Sequence, residues 1–118
     1  MGWQVELTRT ATADLDDIFE FCYSTALGRG DTNAEAFARA SGLVARILGH
    51  RVRLANVPHI GTRHRIAGRT VRHVTFDRAI FWFTLDEDAQ VVRIEGIFHG
   101  GQDHMGRMLR RFMDEGGA

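Results

Sequence analysis

Residues 70–76, 79–85 and 91–99 are three runs rich in β-branched and aromatic side chains, joined only by Asp77-Arg78 and by residues 86–90. Such connections are too short for a crossover, which needs about a dozen residues or more. The three runs must therefore pair as consecutive antiparallel strands, and a sheet of that kind needs a second layer to cover one face. In the middle run Phe81, Phe83 and Leu85 fall on one face and Trp82 on the other.

The residues upstream supply that layer. Trp3, Val5 and Leu7 alternate with polar residues, which predicts a half-buried strand. A helix is expected over 12–25, with Leu15, Ile18, Phe19, Cys22 and Ala26 on its apolar face and Asp14, Asp16 and Asp17 crowding its first turn. Residues 27–32 read as a tight turn, with Asp31 and Thr32 as a capping pair. A second helix is expected over 33–54, on a stripe of Phe37, Ala40, Val44, Ile47, Leu48 and Arg51. The only proline, Pro58, then breaks it. After Gly100-Gly101, residues 105–113 predict a short helix whose Met105, Met108, Leu109 and Phe112 stripe either closes the core or faces a partner, closure being favoured. The expected fold is α+β, a single domain over 1–118. A helical hairpin packs on a four-stranded, mostly antiparallel sheet in the order β-α-α-β-β-β-α.

A chain of 118 residues can bury a core without covalent staples, and its one cysteine, Cys22, excludes an internal disulfide. Cys22 is expected to pack as a buried thiol rather than act as a nucleophile. No apolar run approaches the ~20 residues of a membrane span, and the N-terminus carries no basic-then-apolar leader pattern, which predicts a soluble cytoplasmic domain. The net charge of zero hides a strong asymmetry. Residues 46–78 hold eight arginines against Asp77 alone, a net +7, whereas residues 1–45 carry −4 and residues 79–118 carry −3. All basic residues are arginine, which fits a codon bias, but the clustering predicts a positive surface that seeks acidic or phosphate groups.

Four blocks along the chain carry a family likeness: Leu7-Thr8 with Ala13-Asp14-Leu15 and Ile18; Leu54 with residues 57–61; Thr70-Val71-Arg72 followed by residues 79–83; and Val92-Arg93-Ile94 through Ile97-Phe98-His99-Gly100 and Asp103. In this order they resemble the ParE/RelE superfamily of toxins from type II toxin–antitoxin (plasmid stabilisation) modules. The absence of lysine, the single tyrosine Tyr23 in the first helix and the closing His99-Gly100 with Asp103 resemble the ParE side. Ala79 and Phe83 stand where that family usually has tyrosines. The resemblance implies growth inhibition by a toxin that a cognate antitoxin neutralises and that, when free, inhibits DNA gyrase by binding, without chemistry of its own. It also implies a homodimer or a heterotetramer with the antitoxin. The alternatives are a RelE-like, ribosome-dependent mRNA endoribonuclease, or a degenerate member kept for antitoxin binding and autoregulation.

The candidate partner-binding residues are Arg63, Arg65, Arg69, Arg72 and Arg78, because guanidinium forks grip carboxylates and phosphates in pairs. The competing expectation is a solvated face balanced by Asp14, Asp16 and Asp17. If the chain cuts RNA, Arg72, His99 and Asp103 are the catalytic candidates, with the imidazole moving the proton. Otherwise Asp103 caps the last helix. A metal site built from His59, His64, His99, Asp103 and His104 is disfavoured, since His59 and His64 fall in a turn and strand entry rather than on a helix. No cofactor and no metal is expected. Trp3 and Trp82 either pack in the core or meet a partner.

Overall fold

The computed structural model describes residues 2–100 and 103–116. The chain runs β1 (Gln4–Leu7), α1 (Arg9–Gly28), α2 (Asn33–Gly49), α3 (Arg51–Asn56), β2 (Thr62–Ile66), β3 (Arg69–Phe76), β4 (Ala79–Asp86), β5 (Val91–His99) and α4 (His104–Gly116). The five strands form one sheet in the order β1-β5-β4-β3-β2. β1 runs parallel to β5 and every other pair is antiparallel.

The α+β architecture and the antiparallel order of the three strong strands match expectation, and the sheet gains a fifth strand, β2. Four of the five β2 residues, Thr62, Arg63, His64 and Arg65, are polar, so hydrophobic alternation does not announce it. Its pairing is made by β3 and by Gly61. There a φ of +94° and contact between any added Cβ and the His73 carbonyl leave room for glycine alone.

The hairpin also differs in detail from its sequence pattern. Thr8 caps α1 by accepting the Ala11 N–H at 3.1 Å, so the helix starts a turn earlier than expected. Asp14 consequently lies past the first turn and is buried against the sheet. α2 opens on a capping box, with Thr32 accepting from the Glu35 N–H and Glu35 accepting from the Thr32 N–H. The expected single helix over 33–54 breaks at His50, whose ring packs on Phe76 and Phe81 while Nε2 stands 3.1 Å from the Asp77 carboxylate. Phe37, expected inside, is 59% exposed and meets Phe19 edge-on. Cys22 is half-buried rather than sealed.

Two apolar layers flank the sheet. On the hairpin side Leu15, Ile18, Ile47 and Leu54 cover Phe81, Phe83, Val92, Ile94 and Ile97, with Trp3 partly buried against them. On the other side Met108 and Phe112 of α4 cover Ile66, Val71, Ile80, Trp82 and Phe98. Trp82 is thus core, 1% exposed, and α4 closes the core through half of its stripe. Met105 and Leu109 remain about half exposed. Gly96 makes the close approach of α4 possible, since a Cβ there would lie 2.6 Å from the Met108 sulfur. A β-bulge between Trp82 and Phe83 leaves Glu95 without a partner across the ladder and turns its carboxylate to Thr84 (2.9 Å) and Arg69 (3.1 Å).

Candidate functional site

The helical hairpin sits over β5 and β1, whereas β2 is the opposite edge of the sheet. Register sets Arg63 opposite Arg72 and Arg65 opposite Thr70, so the three guanidiniums share the hairpin-side face of this edge. Directly opposed like charges destabilise a strand pair, a cost that packing alone gives no reason to carry. Arg63 and Arg65 are exposed and Arg72 is half-buried. Burial, followed by the charge of Arg63, pushes the Arg72 guanidinium below its ordinary value, and Glu87 works in the opposite direction.

Arg72 is oriented by donating from Nη1 to the His59 carbonyl at 2.9 Å. The same turn brings His59 Nε2 to 2.6 Å and 3.2 Å from the two Glu87 oxygens, with the imidazole edge-on to Trp3 at 5.3 Å. His59, Thr70, Arg72, Leu85 and Glu87 line a shallow pocket of about 250 Å³. This arrangement can hold an anion between guanidiniums and place an imidazole–carboxylate pair beside it. Glu87 escaped the reading of the sequence. The available signal was an acidic turn, Asp86-Glu87-Asp88, in a chain whose preceding segment is strongly basic.

The other two arginines lie elsewhere. Arg69 faces the α4 side, where it pairs with Glu95 and stacks over Phe112 at 4.7 Å. Arg78 lies beyond the end of β3, and its carbonyl accepts the Gly100 N–H at 3.1 Å. The expected counterbalance by Asp14 is absent as well, because that carboxylate is engaged by Arg111 and by the Ile97 N–H.

Arg72, His99 and Asp103 are not gathered into one site. Arg72 stands opposite Phe83 and His99 opposite Ala79, a separation of ~13 Å along β4 at the usual rise per residue. Burial, then Arg78 and Arg46, hold the His99 imidazole below its ordinary value. Asp103 accepts the Gly106 N–H at 3.1 Å, the capping role. Of the five residues weighed for a metal, His59 joins Glu87, while His64 joins His73 and His104 accepts from Trp82. Among the described residues no group of three such ligands converges. No described helix is long and apolar enough to cross a membrane.

Neither a protein-family model nor a curated protein matches the sequence. Solved structures do match in three dimensions. A chain of the toxin–antitoxin complex RelBE2 from Mycobacterium tuberculosis superposes with a TM-score of 0.59 at 15% identity, covering 84% of this chain and 99% of that one. A chain of the chromosomal ParDE toxin–antitoxin system from P. aeruginosa gives a TM-score of 0.62 at 22% identity, covering 84% and 97%. The chain therefore has the RelE/ParE-like toxin fold that its four sequence blocks resemble.

Proposed function

We propose that this chain is the toxin of a type II toxin–antitoxin module, neutralised by a cognate antitoxin and, when free, inhibiting DNA gyrase by binding it. The observation that carries this reading is the opposed Arg63–Arg72 pair on an exposed sheet edge, with Arg65 beside it. Three guanidiniums on one face form a concentrated positive field suited to carboxylates of a protein partner. The separation of His99 and Asp103 from Arg72 speaks against the RNA-cutting constellation expected from sequence.

The matching antitoxin segment is acidic and amphipathic and folds as it wraps the toxin. Co-purification with the product of the neighbouring gene identifies it. Reversal of Arg63, Arg65 and Arg72 to glutamate then weakens the complex and flattens its salt dependence. Unchanged affinity in the folded triple variant would remove this edge as the docking surface.

The pairing of His59 with Glu87 beside Arg72 favours one second reading, ribosome-dependent mRNA cleavage. There Glu87 would hold the His59 Nε2–H, His59 Nδ1 would take the ribose 2′-hydroxyl proton and Arg72 would neutralise the phosphate, a division of labour that arginine alone cannot supply at neutral pH.

A further inference from the structure

Three histidines and one tryptophan meet beneath the start of α4. His64 Nε2 lies 2.7 Å from His73 Nδ1, and the two rings stack at 4.9 Å between centroids. Both lie against the Trp82 ring, at 5.0 Å and 4.8 Å. The Trp82 Nε1–H donates to His104 Nδ1 at 3.0 Å, and the His104 and His73 centroids are 5.4 Å apart. His104 is the first residue of α4, so these contacts tie that helix end to the sheet.

The hydrogen bonds fix how many protons the group can carry. An indole N–H only donates, so His104 Nδ1 must be bare and His104 neutral for the bond to exist. The His64–His73 bond needs one bare nitrogen, so that pair holds at most one positive charge. Three imidazoles arranged in this way hold one added proton and have no place for a second.

The surroundings offer little to offset added charge. Glu95 of β5 is taken by Arg69 of β3 and Thr84 of β4, Asp14 of α1 is taken by Arg111 of α4, and Asp114 lies beside Glu95 and Phe112, toward the far end of α4 from His104. Asp103 beside His104 is occupied as the α4 cap. The positive end of the α4 dipole also opposes a charge on His104. Burial, then His64 and His104, already hold the His73 imidazole below its ordinary value.

We infer that the His64–His73–Trp82–His104 cluster is a proton-sensitive latch: it holds the start of α4 on the sheet when neutral and releases it when more than one imidazole is protonated. Release uncovers an apolar face of Ile66, Val71, Ile80, Trp82 and Phe98 while the hairpin-side core, which contains none of these histidines, stays closed.

Hydrogen exchange on the full chain at pH 7.5 and 5.5, corrected for the intrinsic pH dependence, tests the latch. The amides of α4 should lose protection about tenfold and open at a lower free energy than those of α1 and β5, whose protection should fall no further than the global stability does. The double variant H64Q/H104Q, which keeps an acceptor for the Trp82 N–H, should abolish the difference between the two pH values. In the unaltered chain, the ring C–H resonances of His73 should titrate over the same interval as the opening. Equal α4 protection at both pH values, one common opening free energy for every element, or a full response in the double variant would overturn the assignment.

Discussion

Asp14 and Arg111, 97 residues apart in the chain, form a two-pronged ion pair, with Nη2–Oδ1 at 2.7 Å and Nη1–Oδ2 at 2.9 Å. The same Asp14 carboxylate accepts the Ile97 N–H at 3.0 Å, so one buried group joins α1, β5 and α4.

Removal of a single partner leaves an uncompensated group in a largely dry site. Asp14→Ala should cost about 2–4 kcal/mol in urea unfolding, because it also orphans the Ile97 N–H. Arg111→Gln should cost less, since the arginine keeps a quarter of its side chain in water. A loss below about 1 kcal/mol in Asp14→Ala would show that the three elements are held by packing alone.

The two faces of β4 can be compared directly. Phe81 is fully buried under the hairpin, and Phe81→Ala should cost roughly 3–5 kcal/mol through lost burial and a residual cavity. An open face at Trp82 would make its loss the milder of the two. With Trp82 1% exposed beneath α4, Trp82→Ala should cost as much and should also release α4. Equilibrium denaturation with exchange protection of α4 checks both. A much smaller loss at Trp82 would mean that α4 does not close that face.

What could be read from the sequence was local. The alternation of Phe81, Phe83 and Leu85 against Trp82 assigned the faces of β4, and short connections assigned the antiparallel order. β2 was illegible because Arg63, His64 and Arg65 form a strand only by pairing with β3. The burial of Trp82 depends on α4 returning across the sheet, and no periodicity within β4 encodes that event. In the site, Arg63, Arg65 and Arg72 were legible from charge, and register alone divides them from Arg69. The His59–Glu87 pair spans 28 residues and two separate turns, so neither residue marks the other.

Two imidazoles make the fold sensitive to acid. His73 and His99 are both shifted down from 6.5, each first by burial, then by His64 and His104 in one case and by Arg78 and Arg46 in the other. Below pH 6.5 the unfolded chain therefore binds protons that the folded chain refuses. Their contribution to stability is complete above that pH and is lost as pH falls through it. Urea midpoints should decline between pH 7 and pH 5, and His99→Gln should remove part of the decline. A midpoint that holds or rises on acidification would contradict the sign.

The most direct measurement is expression of this chain without an antitoxin, with plasmid topology and transcript integrity read from the same cells. Binding to gyrase predicts impaired supercoiling and a DNA-damage response with intact mRNA, and R63E/R72E should restore growth. Codon-register mRNA cuts that disappear in His59→Ala, with topology unaffected, would contradict the gyrase reading and assign the pocket of His59, Arg72 and Glu87 to RNA cleavage.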